Sequence, residues 1–317
     1  MSNYPTIEQI RAASRKIEPL IHKTAVLTCK SIDQICQARL FFKCENFQKV
    51  GAFKARGAVN ALFSLQEKEL NQGVATHSSG NHAAAVAYAA GCRNTKAYVV
   101  MPDNASPIKI AAVRKYGAEI IYCKPTQQAR EAALGEVVER TGAVFIHPYN
   151  DYRVITGQAT AALELLEQVS ALDAIIAPVG GGGLLSGTAL TVSALNPKIV
   201  VYGAEPAGAD DAFRSMQAGQ IIPIEKPDTI ADGLRTSLGE LTFPIIRKHV
   251  SAIITVTDDA IINAMRLVWE RMKIIIEPSS AVALAVLLEE RASIKGKSIG
   301  LIISGGNVNL DNLPWQR

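Results

Sequence analysis

Eight short β-rich runs alternate along this chain with alanine-rich, helix-length stretches, and that alternation narrows the fold more than any other feature. The candidate strands are 40–44, 74–77, 97–101, 119–122, 174–178, 200–204, 253–256 and 298–303. Helical patterns cover 52–65, 81–91, 106–116, 127–140, 154–168 and 184–195, with a further helix from Thr6, and Thr257-Asp258-Asp259 signals a helix over 260–272. Strands alternating with helices of this length imply parallel sheets covered on both faces. Eight strands exceed what one compact sheet needs, so the pattern predicts an α/β fold with two doubly wound open sheets. Residues 73–148 form the smaller, mobile domain in this reading, and 1–72 with 149–317 form a discontinuous large domain. No internal repeat is visible.

The bulk properties exclude several classes. Apolar residues make up 48% and charged residues 20% of the 317, the values of a chain that buries a sizeable core. The net charge of +4 comes from interleaved signs without a basic block, which gives nucleic-acid binding no support. The longest apolar runs, such as Leu172 to Val179, are strand-sized, so no membrane span is expected. The polar start Met1-Ser2-Asn3-Tyr4-Pro5 is no signal peptide. Five cysteines without CxxC spacing read as reduced, mostly buried thiols of a cytoplasmic protein. The five histidines show no zinc spacing.

Ligands of open α/β sheets sit beyond the carboxyl ends of strands, where glycine-rich turns meet helix starts. Three such turns occur here. Gly180-Gly181-Gly182-Gly183-Leu184 follows the strand ending at Pro178, and its bare backbone N–H groups suit an anion, with phosphate the natural guest. The dinucleotide fingerprint and the Walker pattern both fail at this run, which on its own is equally a tight strand-to-helix turn. Ser78-Ser79-Gly80-Asn81-His82 places hydroxyls, an amide and an imidazole at a second helix start, suited to a carboxylate or a cofactor oxygen, or simply an elaborate cap. Ser304-Gly305-Gly306-Asn307 closes the last strand. Upstream, Lys54 lies between Phe53 and small residues in Gly51-Ala52-Phe53-Lys54-Ala55-Arg56-Gly57, where burial lowers an ammonium pKa and makes the amine a nucleophile.

Together and in this order, the four motifs resemble the fold-type-II pyridoxal-phosphate enzymes, the tryptophan synthase β-like fold, and within them the serine racemase and threonine/serine dehydratase family. The resemblance runs from Thr24 to Asn307. It implies a pyridoxal 5'-phosphate cofactor carried by Lys54, with Phe53 beside its ring, Gly180, Gly181, Gly182, Gly183 and Leu184 on its phosphate, Asn81 at its phenolic oxygen and Ser304 at its pyridine nitrogen. Lys54 and Ser79 become the acid/base pair on opposite faces; racemisation requires both, whereas elimination needs one. Ser78, Ser79, Asn81 and His82 would cradle the substrate carboxylate. The implied activity is serine racemisation, serine/threonine dehydration, or both.

The resemblance also places Mg2+, Mn2+ or Ca2+ on Glu205, the carbonyl of Ala209 and Asp211, a hard oxygen set; read alone, those residues equally make a capped helix start with acidic residues. Homodimerisation and closure of the smaller lobe are implied too. Arg130 matches a substrate-proximal arginine and would hold the distal carboxylate of threo-3-hydroxyaspartate, or else sit on a helix surface. Departures are visible: Ala83-Ala84 replaces Gly-Gln, Val50 replaces a threonine near a nucleotide-binding surface, and Tyr149 stands at the pocket edge in place of asparagine. His82 argues against cysteine-synthase-type β-replacement.

Overall fold

The computed structural model describes residues 4–78, 80–105, 107–289 and 296–316. Ten strands occur among them: β1 (Val26–Leu27), β2 (Arg39–Cys44), β3 (Val74–His77), β4 (Ala97–Pro102), β5 (Glu119–Cys123), β6 (Val144–Phe145), β7 (Ala174–Pro178), β8 (Val200–Pro206), β9 (Ala252–Val256) and β10 (Ser298–Ile303). Six form one sheet in the order β1-β2-β10-β7-β8-β9, and four form a second in the order β5-β4-β3-β6. Only β1 runs antiparallel, Val26 opposite Lys43; every other pairing is parallel. All eight expected strands are present. The two additions, β1 and β6, are two residues long, too short for a periodic signal.

Both faces of the larger sheet are covered, so its strands are continuous apolar runs rather than alternating ones. Within β10, Leu301 and Ile303 face a cluster with Phe42, Ile176 and the helix Pro278–Leu288, while Ile302 between them joins Ile175, Val201 and Leu185 on the opposite side. The small sheet repeats this arrangement. Val99 and Met101 pack with Ala83 and Val113 on one face, and Tyr98 and Val100 with Leu134 and Val137 on the other.

The helix expected from Ala52 begins instead at Lys54. Lys49–Gly51 form a tight turn with Val50 and Gly51 at φ 57° and 70°, and Ala52 is extended and bridges to Gly305. Thr257 caps its helix as expected, accepting from Ala260 N at 3.2 Å. The helix expected over 106–116 spans Pro107–Lys115, and Ser106 lies outside the described residues. A capped helix does start at Asp211, the alternative read from the acidic residues there, whereas helices Lys30–Cys36, Thr242–His249 and Pro278–Leu288 had no sequence counterpart. The last is buried on nearly every side, so its residues carry no amphipathic stripe.

Three elements meet over one buried charge network. Arg56, fully enclosed, donates to Glu45 (2.6 and 2.8 Å) and Glu164 (2.7 and 2.9 Å), and Lys43 donates to Glu164 (2.6 Å) and Gln168 (2.9 Å). Two cations and two anions thereby join β2, the helix Lys54–Leu62 and the helix Tyr152–Gln168.

Candidate active site

Lys54 is the first residue of its helix, and its Nζ donates to Pro148 O at 2.9 Å. The ammonium lies 5.0 Å from the centre of the Phe53 ring. Enclosure by protein lowers its pKa to about 8, against a smaller opposing pull from Glu277. An amine in that range is a nucleophile near neutral pH. The backbone tying it down comes from the last strand: Phe53 N donates to Ser304 O at 3.0 Å.

Ser304 and Asn81 flank this lysine segment from two different lobes. Ser304 Oγ lies 3.0 Å from Ser280 Oγ. Ser280 already accepts from Gly305 N (2.7 Å) and donates to Gly305 O (2.6 Å), so the proton of the Ser304 hydroxyl is the one free to be given. Asn81 opens the helix Asn81–Cys92; its Nδ2 donates to the Glu277 carboxylate (2.9 and 3.2 Å), and its Oδ1 accepts from Asn307 Nδ2 at 2.8 Å. Glu277 escaped the sequence reading. Its only local signal is a carboxylate directly before Pro278 at a helix start.

The glycine run caps the helix Gly183–Leu195 without any side-chain hydrogen bond, leaving its first N–H groups bare. Gly182 sits at φ 87°, where L-residues are strained. A Cβ on Gly181 would meet the Tyr149 ring at 2.2 Å, and one on Gly183 would meet Gln158 Oε1 at 2.5 Å. Tyr149 therefore roofs the loop and Gln158 floors it. Both polar atoms of Gln158 are buried without a partner among the described residues.

The small-lobe side carries imidazoles. His82 Nε2 lies 3.1 Å from Ile146 O and must donate to it, which leaves Nδ1 a buried acceptor without a partner; burial first, then Lys54, keeps the ring neutral. Its side chain is therefore turned away from any anion, although its backbone N–H belongs to the first turn of the helix. His147 Nδ1 accepts from Asn150 N (2.9 Å), and burial holds the ring down to about 4. Arg130 is half-buried, and its Nε has no partner among the described residues. Its charge helps to hold His77 low, so the helix brings it to the carboxyl end of β3. Ser78 Oγ accepts from Gly80 N at 3.2 Å. Ser79 lies outside the described residues.

A family model described as "Pyridoxal-phosphate dependent enzyme" matches residues 17–305. The chain belongs to this family. It is 53% identical over 312 residues to the serine racemase of Dictyostelium discoideum, covering 97% of this chain and 96% of that one. It is 50% identical over 311 residues to a beta-hydroxyaspartate dehydratase of Paracoccus denitrificans (strain Pd 1222), covering 98% and 99%. The structure of maize serine racemase superposes with a TM-score of 0.95 at 48% identity, covering 98% of this chain and 96% of that one. The parallel two-sheet α/β architecture is the fold of this pyridoxal-phosphate enzyme family.

In this family member Glu205, near the end of β8, and Asp211, at the start of the next helix, are both buried. Glu205 accepts from Ala212 N (2.8 Å) and Phe213 N (2.9 Å), which caps the helix Asp211–Ala218, and Asp211 Oδ2 accepts from Leu238 N (3.2 Å). Asp211 Oδ1 is buried with no partner among the described residues. Burial, then the neighbouring acid groups, pushes Glu205 up to about 9, and burial pushes Asp211 up to about 7. Ala209 is fully buried in the adjoining turn. No group of three or more histidines, cysteines or acids placed to hold a metal occurs among the described residues. None of the described helices is long and apolar enough to cross a membrane.

Proposed function

We propose that the chain is a serine racemase and/or serine/threonine dehydratase, using pyridoxal phosphate to withdraw the α-proton of a β-hydroxy amino acid. The observation that carries this reading is Lys54, an amine of lowered pKa held beside the Ser304 turn, with a side-chain-free loop and a helix N-terminus available for a phosphate. The residues fit the cofactor. The bare Gly180–Gly183 N–H groups and Leu184 suit the phosphate, Asn81 the phenolic oxygen, Ser304 the ring nitrogen, and Phe53 the ring face. Bound there, pyridoxal phosphate supplies an aldehyde for amines and an electron sink that acidifies the substrate Cα–H.

Lys54 then takes the α-proton on one face. Ser79, in the position the resemblance assigns it, returns a proton on the other for racemisation. For dehydration, the proton held by Lys54 is available to the departing hydroxyl. Ser304 is neutral and leaves the ring nitrogen largely unprotonated, which favours prompt loss of that group. Ser78, Asn81 and the backbone N–H of His82 orient the substrate carboxylate at the positive end of their helix. Glu205, Asp211 and the Ala209 carbonyl would hold Mg2+, Mn2+ or Ca2+, and Asp211 Oδ1, without a partner among the described residues, supports that assignment. Residues 73–148 act as a mobile small domain, the chain pairs as a homodimer, and it works in the cytoplasm.

Purified protein incubated separately with each isomer of serine, threonine and 3-hydroxyaspartate, with keto acid and enantiomer measured together, tests the activity. Borohydride trapping should label Lys54, and label elsewhere sinks the mechanism. Ser79→Ala should abolish enantiomer interconversion yet spare elimination of one isomer.

A second reading, threo-3-hydroxyaspartate ammonia-lyase, is favoured by the half-buried Arg130 near His77, whose Nε has no partner among the described residues and whose charge suits a distal carboxylate. Arg130→Ala should cut kcat/KM for hydroxyaspartate by roughly tenfold or more relative to serine, the scale of a charge-assisted hydrogen bond. Equal losses for the two substrates would refute it.

A further inference from the structure

Glu277 has no part in the chemistry above, yet it joins the two lobes at the proposed cofactor site. It stands at the N-cap of the helix Pro278–Leu288 but gives that helix no side-chain cap. The residue is only 5% exposed, and its carboxylate instead accepts from Asn81 Nδ2 at 2.9 and 3.2 Å and from Asn307 N at 3.1 Å. Asn307 Nδ2 in turn donates to Asn81 Oδ1 (2.8 Å) and to Val50 O (2.7 Å), in the strained turn that precedes Lys54. A Cβ on Gly305 would lie 2.8 Å from Glu277 Oε1, so the carboxylate is seated against the Ser304 turn.

We infer that Glu277 is a positioning residue of the cofactor site: its carboxylate fixes the Asn81 amide in one orientation and, through Asn307, ties it to the turn that precedes Lys54. The inference rests on reading this site as a pyridoxal-phosphate pocket. Reversing the Asn81 amide would set its oxygen against the carboxylate and its NH2 against that of Asn307, so only the observed orientation is satisfied. Both Nδ2 contacts go to one carboxylate, a shared bond that engages one N–H and leaves the other for the cofactor's phenolic oxygen. Glu277 receives only donors, which holds it as a carboxylate, although burial and then Asp232 push its pKa up to about 7 while Asn81, Lys109 and Asn307 pull it down. As an anion it draws the Lys54 amine back towards protonation.

The test compares wild type with Glu277→Gln, Glu277→Asp, Asn81→Ala and the Asn81→Ala/Glu277→Gln double variant. Cofactor dissociation constants come from absorbance titrations of the apo-proteins with pyridoxal phosphate. Acylation of Lys54 in each apo-protein is followed against pH by peptide mass spectrometry. Glu277→Gln should weaken cofactor binding about tenfold, and the double variant should bind no more weakly than Asn81→Ala alone, as for two groups acting as one unit. The Lys54 acylation midpoint should move to lower pH in Glu277→Gln and stay in place in Glu277→Asp, which keeps the charge but withdraws it from Asn81. Additive losses, or an unmoved midpoint in Glu277→Gln, would overturn the inference. Should the Gln variant not fold, Glu277→Asp decides: a tenfold loss supports the inference and wild-type binding overturns it. A wild-type protein that gains no absorbance band would overturn the pocket itself, and that result is visible before any variant is compared.

Discussion

At the scale of single residues, Lys54 is where environment most changes chemistry. Its pKa of about 8 lies below the ordinary 10.5 because enclosure disfavours the ammonium. Only the neutral amine attacks an aldehyde, so cofactor uptake by the apo-protein should accelerate as pH rises to about 8 and level off above it; an uptake rate still climbing tenfold per pH unit at pH 9 would contradict this. The linked effect on stability has the same sign. Between pH 8 and 10.5 the unfolded chain holds a proton that the folded chain has released, so the apo-protein gains stability as pH rises through that window. The lysine, the glycine loop and Asn81 were legible because each sits in a motif with its own physical logic. Glu277, Gln158 and Ser280 were not, because each is one polar residue in an ordinary helix or helix start, and its meaning comes only from what the fold brings against it. His82 shows the reverse: its motif suggested an anion-binding imidazole, while the structure turns the ring to Ile146 O.

At the scale of elements, alternation and capping predicted all eight longer strands and every helix longer than eight residues except the buried Pro278–Leu288, and failed on the shorter segments. The charge network under Lys54 was equally invisible, since Lys43, Glu45, Arg56 and Glu164 belong to separate elements that only the fold brings together. Arg56→Ala should destabilise by about 3–5 kcal/mol in chemical denaturation, because it leaves Glu45 buried without a cation and Glu164 with Lys43 alone. Replacing all four charged residues with apolar ones of similar size should cost far less, and a loss below ~1 kcal/mol for Arg56→Ala would show that the network contributes little. The helix Asp211–Ala218 offers a different test. Two buried carboxylates near its start are held in an electrostatically poor position, which a divalent cation at the proposed site would relieve. Magnesium at roughly a hundredfold excess over its dissociation constant should raise Tm by about 5 °C, chelator should reverse the gain, and Asp211→Asn should abolish the response. An Asp211→Asn protein that still responds in full would place the cation elsewhere.

At the scale of the whole molecule, the site is assembled from both sheets, so its geometry depends on how the lobes meet. Lys54, the glycine loop and Ser304 belong with the larger sheet, while Asn81, His82 and Arg130 ride on helices of the smaller one. Among the bonds that cross between them are a cluster around the buried Glu277, in which Asn81 meets Glu277 and Asn307, and an ion pair from Lys109, on the helix Pro107–Lys115, to Asp232 in the turn Asp232–Leu234. These differ in kind. The first is enclosed and insensitive to salt, whereas both partners of the second are part-exposed, at 31% and 47%, so solvent ions screen it. A screened pair of this sort contributes at most about 1 kcal/mol, enough to bias the opening of the proposed mobile small domain but not to hold it shut. Lys109→Ala should therefore raise KM by about fivefold or less with kcat little changed. In wild type, KM should climb towards the variant's value as ionic strength rises from about 0.01 to about 0.5 M, a range chosen to span the Debye lengths over which such a pair is felt and lost. The variant should lack that salt response. If it keeps the same dependence, the Lys109–Asp232 ion pair is not the source of the salt response.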